Sequence, residues 1–348
     1  MLILGIESSC DETAAALVRD GVEVLSSVVH TQIALHAPHG GVVPEIASRS
    51  HIEKIPAVVR KAVEDSGVGW NAIDAVAATY GPGLASSLLV GLHAGKGLTV
   101  ALGRPFIGIN HIEAHIQSAF LSPGSPAKED CLPLLALVVS GGHSAIVRIG
   151  ADGRPRILGQ TLDDAAGEAF DKASKLLGLG YPGGPAIQKA ASQAKNGGAG
   201  IRFPQGRISD DNPAIGNLRA DLCFSFSGLK TSLRNYLQKH PVQNEDDRCE
   251  IAAAYQDAIV DALASRCERA LRQGRYKGFA VGGGVSLNAA LRARLQEVAA
   301  RTGVPLFLPE PKYCGDNAAM IAALAGRGAG VRGDAALALD ASPSLTFD

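Results

Sequence analysis

The sequence repeats one layout of secondary structure in its two halves, and this repeat limits the folds available to the chain. In each half, an apolar strand, a small polar turn and a second strand are followed by a strand, a glycine turn and a helix, and then by a strand, a loop and a helix. The matched segments are 2–18 with 134–149, 74–92 with 277–295, and 104–120 with 304–324. Three matched pairs in the same order indicate a duplicated α/β unit.

Two similar α/β halves of this kind predict the duplicated nucleotide-binding fold of actin, hexokinase and Hsp70 (the ASKHA fold), with two lobes around a central cleft. The chain of 348 residues is long enough for two domains. We expect an N-terminal α/β lobe over 1–130, open to completion by the C-terminal helix region, and a C-terminal lobe over 131–348 with a helical insertion at about 160–240. Ligands of such folds collect at the carboxyl ends of the strands.

Charge and cysteine usage restrict the partners and the compartment. The 33 basic and 34 acidic residues give a net charge of −1, so a polyanion must be met by a local patch. The basic stretches 266–277 and 292–301 are interleaved with acids, as is typical of solvated helix faces. Six scattered cysteines and a start without signal-peptide character predict a cytoplasmic protein. The apolar run 84–103 contains His93, Lys96 and several glycines, so we expect no membrane association.

The stretch NHIEAHIQ, residues 110–117, places two histidines one helical turn apart. His111 and His115 can project from one helix face, as metal ligands or as a packed or solvated face. Glu113 does not have the spacing of a zincin metalloprotease. The duplication places Asp316 of YCGDN at the position matching the His111 region. Two imidazoles and one carboxylate leave coordination positions open, which favours Fe(II) or catalytic zinc.

Several segments together resemble one known family. They are GIESSCDETAAALV, HGGVVPEIASRSH, NHIEAH, VVSGGHS, DDAAGEAFDKASKLLGLGYPGGP, FSFSGLKT, VGGGVSLN and CGDNAAMIA. In this order they are similar to the signatures of the TsaD family of tRNA N6-adenosine threonylcarbamoyltransferases, formerly labelled Gcp, YgjD or O-sialoglycoprotein endopeptidase. The resemblance implies transfer of a threonylcarbamoyl group from threonylcarbamoyl-AMP to N6 of the adenosine adjacent to the anticodon, in tRNAs that read codons beginning with A, with release of AMP.

The resemblance also implies roles for individual residues. It makes His111, His115 and Asp316 the ligands of one divalent metal ion, with Fe(2+) as the expected metal and Zn(2+) as the alternative. The substrate-binding positions it implies are Val138, Val139, Ser140, Gly141, Gly142, Asp171, Gly184 and Asn288. Glu12 is a candidate for removing a proton from the attacking amine, or else a plain turn carboxylate.

The glycine-containing turns at these positions can also be explained by packing or by turn geometry, without a ligand. The VVSGG segment offers backbone amides to an anion, or is only the tight turn of a hairpin. The GGG of 282–284 suits a nucleotide or close strand-to-helix packing. Lys230 of FSFSGLKT contacts a phosphate or covers a surface.

The family resemblance further implies tRNA, a TsaB-like paralogue and a TsaE-like ATPase as partners. Two alternatives remain at the level of the residues: an ASKHA-type phosphotransferase, which would not need the histidine pair, and a metalloprotease, as in the older family label. The helix predicted over 45–63 is apolar on one face, which suits core packing or a dimerisation surface.

Overall fold

Each half of the chain builds one five-stranded mixed sheet with the same topology. The computed structural model describes residues 1–122, 124–206, 208–209 and 211–347. The first sheet has the order β3-β2-β1-β4-β5 and the second the order β8-β7-β6-β9-β10. In both, the first three strands form an antiparallel meander and the fourth runs parallel to the first. The strands are β1 (Leu2–Glu7), β2 (Glu12–Arg19), β3 (Glu23–Thr31), β4 (Ala75–Gly81), β5 (Phe106–Asn110), β6 (Leu134–Val139), β7 (Ser144–Ile149), β8 (Pro155–Gln160), β9 (Gly278–Gly282) and β10 (Leu306–Phe307).

The helices follow the strands in the order that the repeat predicts. α3 follows β4 as α9 follows β9, and α4 follows β5 as α10 follows β10. The helices are α1 (Ile33–His36), α2 (Pro44–Asp65), α3 (Ala85–Leu102), α4 (His111–Ser118), α5 (Ala166–Leu177), α6 (Gly183–Ala191), α7 (Ser227–Lys239), α8 (Glu245–Gln273), α9 (Ala289–Thr302), α10 (Ala318–Gly326) and α11 (Asp334–Ala338). The duplicated α/β fold is therefore confirmed.

The chain divides into two compact units, Met1–Ser125 with Pro309–Asp348, and Pro126–Leu308. The first boundary lies close to the expected one at residue 130. The last forty positions join the first unit, a completion of the N-terminal lobe that the sequence left open. The reason is α10, which is apolar and whose residues from Ala318 to Ala325 are all buried. It packs on β1 and β2 and so covers one face of the first sheet.

β1 lies at the centre of the first sheet and is covered on both faces. All six of its residues are buried, as expected of a strand with layers on both sides. Ile3 packs in the cluster that contains α10, whereas Leu4 and Ile6 pack in the cluster that contains α2. Gly5 permits the close approach of α10, because a Cβ there would lie 2.4 Å from the carbonyl oxygen of Ala318. This packing fixes the carboxyl end of β1, where the candidate site begins.

α2 and α3 cover the other face of this sheet. On α2, Ile55, Val58 and Val59 are buried while Ile52 is exposed, so most of the apolar face serves the core. α3 is the one helix of the described ranges that is long and apolar enough to cross a membrane by length and composition alone. Its small residues have a packing reason, since a Cβ on Gly91 would lie 2.3 Å from the Ser8 hydroxyl oxygen.

Candidate metal centre and nucleotide-binding turns

The two histidines lie on α4, which begins where β5 ends. The Asn110 side chain accepts hydrogen bonds from the backbone amides of Ile112 and Glu113 and so caps the helix. This cap places His111 in the first turn and His115 one turn later on the same face. Both imidazoles are buried, and their rings meet edge to face with centroids 4.5 Å apart. The helical spacing therefore brings the pair together as predicted.

Asp316 approaches this pair from the loop that precedes α10. Its Oδ1 lies 3.1 Å from His115 Nε2 and 3.6 Å from His111 Nε2. Asn317 accepts a hydrogen bond from the Met320 amide and caps α10, which fixes the loop at Asp316. All three residues belong to the first unit, so the carboxylate comes from the C-terminal segment that returns to this unit, and not from a second lobe as the duplication predicted.

A buried carboxylate behind His111 sets the orientation of that ring. Glu7, the last residue of β1, accepts a hydrogen bond from His111 Nδ1 at 3.0 Å and leaves Nε2 facing Asp316. The Thr79 hydroxyl and the Ser9 amide donate to the same carboxylate at 2.6 and 2.5 Å. A carboxylate bonded to the second nitrogen of a histidine is the arrangement found behind metal-ligating histidines.

The charges around the imidazoles favour a cation. Burial alone would lower the pKa of His111, but the carboxylates of Glu7 and Asp316 outweigh it and raise this pKa to about 9. Burial and the neighbouring His111 lower the pKa of His115. Burial would raise the pKa of Glu7, yet the His111 partner holds it below its usual value. Two carboxylates thus face one imidazole pair, and a bound positive charge is stabilised there.

The donor set fits a divalent metal ion. The candidate ligand atoms all lie within 4.8 Å of one another. Ligand atoms at 2.0–2.2 Å from one ion lie roughly 3–3.5 Å from one another. The distances from Asp316 Oδ1 to the Nε2 atoms of His111 and His115, 3.6 and 3.1 Å, are close to this range. His115 is fully buried and its Nε2 lies 3.1 Å from Asp316 Oδ1, while its Nδ1 has no hydrogen-bond partner among the described residues. A buried imidazole with an unpaired nitrogen is costly, and its other nitrogen is directed at the carboxylate with which it would share an ion.

Glu12 is the first residue of β2, and the Thr31 hydroxyl donates to its Oε1 at 3.0 Å. Its Oε2 is buried without a hydrogen-bond partner among the described residues. Burial, followed by repulsion from Asp11 and Asp316, raises the pKa of Glu12 to about 8. A carboxyl group with this pKa can exchange a proton near neutral pH, which a plain turn carboxylate does not do.

In the second unit, the VVSGG segment forms the turn between β6 and β7. Val138 and Val139 end β6, and the backbone amide of Ser140 donates to the carbonyl of His143 at 2.8 Å. Gly141 and Gly142 are exposed. The turn lies beside the start of α5, since the Gly167 amide donates to the Ser140 carbonyl at 3.2 Å. The exposed glycine backbone therefore borders a helix N-terminus, a combination that suits an anionic group.

Asp171, in the middle of α5, lies beside the start of α6, where Gly184 is found. The Gly183 amide donates to Asp171 Oδ1 at 2.6 Å, so this carboxylate also holds the start of α6. A Cβ added at Gly184 would meet nothing within 4 Å, so the backbone there is open to a ligand. The structure brings these two positions together, as expected if they serve one ligand.

Asn288 is largely buried and engaged within the protein. Its Oδ1 accepts from the Leu291 amide at 3.0 Å and caps α9, while its Nδ2 donates to Gln256 at 2.8 Å. The residue therefore has a structural task beside any contact with a nucleobase. The glycine turn before it is tightly packed, because Gly283 has a φ of +91° and a Cβ there would lie 2.3 Å from the Val139 carbonyl oxygen.

Several charged residues on the helix faces of the second unit are paired within the protein. Lys172 contacts Asp164 at 2.5 Å and Glu168 at 2.9 Å, so the acidic stripe before Asp171 is partly neutralised. On the basic stretches, Arg272 and Arg301 pair with Glu268. Part of the charge on these stretches is therefore neutralised within the protein, as is common on solvated helix faces.

Sequence reasoning missed the residues that support the imidazoles and the loop after β1. Glu7, Ser9, Thr79 and His51 carry no recognisable spacing relative to the histidines. The one available signal was Glu7 itself, since a carboxylate that directly continues an apolar strand such as LILGI is costly to bury without a partner.

Comparisons with known proteins identify relatives of this chain. A family model described as tRNA N6-adenosine threonylcarbamoyltransferase matches residues 23–323. The chain is 46% identical to the tRNA N6-adenosine threonylcarbamoyltransferase of Geobacter sp. (strain M21) over 100% of this chain and 97% of the relative. It is 48% identical to the enzyme of the same name from Anaeromyxobacter dehalogenans (strain 2CP-C), over 99% and 98%.

Among solved structures, (R)-2-hydroxyglutaryl-CoA dehydratase component A of Acidaminococcus fermentans is similar, with a TM-score of 0.54 and 14% identity over 94% of this chain and 98% of that one. This likeness supports the ASKHA-type fold alone. The family match extends from β3 to α10, and the relatives cover almost the whole chain. The chain therefore belongs to the TsaD family of tRNA N6-adenosine threonylcarbamoyltransferases.

Proposed function

We propose that this enzyme takes the threonylcarbamoyl group from threonylcarbamoyl-AMP and that the transfer depends on a divalent metal held by His111, His115 and Asp316. The observation that carries the proposal is the convergence of these three candidate ligands, with Glu7 hydrogen-bonded to His111 behind them. A phosphotransferase of the same fold has no need for such a group.

In the proposed reaction, the lone pair of adenosine N6 attacks the carbamoyl carbonyl carbon. The bond from that carbon to the phosphate oxygen breaks, AMP leaves with the electron pair, and N6 loses one proton. A bound divalent metal supplies a Lewis acid that polarises the carbonyl oxygen. Glu12 is the residue we propose to take the N6 proton, since its pKa of about 8 suits proton exchange at neutral pH.

We propose iron(II) as the metal, with zinc(II) as the alternative. Two imidazoles and one carboxylate are the donor set of the open sites of non-haem iron(II), and catalytic zinc sites use three ligands of the same types. Asp316 keeps 16% of its side chain exposed, so the ligand group is open on that side. An open side leaves room for oxygen atoms of threonylcarbamoyl-AMP.

The turns of the second unit are proposed to bind the adenylate part of the donor. Exposed backbone at Gly141 and Gly142 would receive a negatively charged group, helped by the start of α5. The Asp171 carboxylate would accept hydrogen bonds from ribose hydroxyls, and the open backbone at Gly184 would lie against the nucleoside. Val138 and Val139 place this turn, and Asn288 is proposed to face the adenine from its position at the start of α9.

We propose that the enzyme works in the cytoplasm with a TsaB-like paralogue and a TsaE-like ATPase. The net charge of −1 gives the chain no overall attraction for tRNA, and some basic residues of its helices are paired with acids within the protein. A partner that contributes tRNA contacts explains how a nearly neutral catalytic subunit holds a polyanion.

The test is nucleoside mass analysis of unmodified tRNA after incubation with the enzyme, the two partners and threonylcarbamoyl-AMP. We expect threonylcarbamoyladenosine to appear with one AMP released per modified base, and to disappear when a chelator has removed the metal. Re-addition of Fe(2+) or Zn(2+) under anaerobic conditions then identifies the active metal. Full activity of a metal-free preparation would contradict the metal requirement, and failure to modify tRNA in the presence of active partners would contradict the assigned donor.

A further inference from the structure

One buried histidine outside the metal group remains without a role. His51 lies on α2, within the HGGVVPEIASRSH segment, and is fully buried. Its Nε2 lies 2.9 Å from the Cys10 carbonyl oxygen and its Nδ1 lies 2.7 Å from the Thr13 hydroxyl. These two partners flank Asp11 and Glu12 in the chain, so one imidazole holds both ends of a four-residue stretch.

The two contacts fix the tautomer of His51. Because a carbonyl only accepts, Nε2 carries the proton, and Nδ1 accepts from the Thr13 hydroxyl. Burial also lowers the pKa of His51, which agrees with a neutral ring. A neutral imidazole in this tautomer satisfies both partners at once, so the ring acts as a rigid brace between α2 and the loop.

The same loop is tied to the metal group at its other end. Glu7 and Ser9 both contact His111 Nδ1, at 3.0 and 3.2 Å. The chain then passes through Cys10, whose carbonyl accepts a hydrogen bond from His51, and reaches Glu12 at the start of β2. His111 and His51 therefore anchor successive parts of the 7–13 segment.

We infer that His51 is a positioning residue, which holds the Cys10–Thr13 stretch so that Asp11 and Glu12 keep their place for the transfer reaction. This inference rests on the proposed function, in which Glu12 takes the N6 proton. Losing the brace leaves the metal ligands in place but lets the two carboxylates move. A displacement of about 1 Å at a reacting group can lower a rate on the order of a hundredfold.

Three substitutions separate the contacts. His51→Gln places an amide near the Nε2 position and keeps a donor for the Cys10 carbonyl, whereas His51→Asn keeps a polar group only near Thr13. His51→Leu removes both contacts and retains a buried apolar side chain. Ser50→Ala is the matched control, because Ser50 is the buried neighbour on the same helix and its hydroxyl has no hydrogen-bond partner among the described residues.

A chemical probe of the loop is already present in the sequence. Cys10 is partly exposed, while the other five cysteines of the chain are buried. Its thiol pKa lies well above the usual value because of burial and the nearby carboxylates, so its alkylation in the native protein should be slow. Loosening the turn exposes this thiol, and peptide mass analysis after timed iodoacetamide treatment measures the change.

We expect His51→Leu and His51→Asn to lower kcat by about ten- to a hundredfold with little change in KM, and to speed Cys10 alkylation several-fold. His51→Gln should recover most of both properties, and the metal content should equal that of the wild type in all variants. Wild-type kcat and wild-type Cys10 alkylation in His51→Leu would overturn the inference. The inference would also be overturned if the activity of the variants fell only in proportion to a loss of Tm or of metal content.

The alkylation result does not depend on the reaction. If the wild type fails to modify tRNA, the proposed function fails, while Cys10 alkylation still decides whether His51 holds the loop. The kinetic result applies if the wild type is active and Ser50→Ala has the same kcat. A lower kcat in His51→Asn, together with a kcat near that of the wild type in His51→Gln, then supports positioning through the Cys10 contact.

Discussion

At the scale of single residues, the candidate metal centre depends on a carboxylate that does not itself belong to the ligand group. Glu7 lies at the end of a fully buried strand and bonds to His111, Ser9 and Thr79. The bond to His111 fixes which ring nitrogen faces the ion, and a carboxylate partner also makes the ring a better ligand.

Glu7→Gln should therefore lower metal affinity without removing a ligand. Partners of this kind typically contribute 10- to 100-fold in affinity. Competition with a chelator of known affinity measures the change, and Asp20→Asn, at an exposed turn, is the control. An unchanged affinity would mean that His111 is oriented by something other than Glu7.

The Glu12 carboxylate should lower the free energy of unfolding at neutral and alkaline pH. Its pKa in the folded protein is about 8 against an ordinary 4.5, so the folded state binds a proton more tightly than the unfolded state. The free energy of unfolding therefore falls as pH rises from about 4.5 to about 8. Glu12→Gln should raise Tm at pH 8 more than at pH 5 while abolishing most transfer activity. An equal Tm gain at both pH values would contradict the raised pKa.

The sequence alone could point to the three candidate ligands but not to the residues around them. The spacing of His111 and His115 is local, and the duplication and the family resemblance point to Asp316. Glu7 and His51 act through contacts across 104 and 41 positions of the chain, which a local pattern does not encode.

At the scale of secondary-structure elements, the repeat predicted the strands and helices that carry the site. The hairpins, the glycine turns and the helices after them follow the expected order. Two strands were not foreseen. β3 and β8 complete the meanders at the edges, and their mixed burial gives no continuous apolar run to read.

The edge of the second sheet contains an unfavourable pair. Arg148 on β7 lies directly opposite Arg156 on β8, and both are exposed without an acidic partner among the described residues. Like charges directly opposite in a sheet are destabilising. Arg156→Glu should therefore raise the free energy of unfolding of the second unit by about 0.2–1 kcal/mol, measured by denaturant titration. Arg154→Glu, at the hairpin and not opposite Arg148, should give no gain; equal effects would contradict the pairwise explanation.

At the scale of the whole molecule, the return of the C-terminal segment to the first unit was an outcome that the sequence left open and did not decide. By sequence, β10 and α10 form one strand-loop-helix repeat. In the structure the strand stays in the second sheet while the helix packs on β1 and β2. The reason is the apolar face of the first sheet, which α10 covers with a continuous run of buried, mostly small residues.

A chain that ends at Leu308 should consequently lose the fold of its first unit. Residues 126–308 should keep their amide protection in hydrogen exchange, while peptides from 1–125 should exchange rapidly because the face of β1 under α10 is exposed to water. Wild-type protection in both regions would show that α10 is dispensable for the first sheet.

The most direct test of the account is the metal content of the purified protein. Elemental mass analysis after anaerobic purification and dialysis should find about one divalent ion per chain in the wild type. Asp316→Ala should retain almost none, with circular dichroism unchanged. Full metal occupancy in Asp316→Ala, or a wild type that never retains metal yet transfers threonylcarbamoyl to tRNA, would contradict the central claim that these three side chains hold the ion the reaction needs.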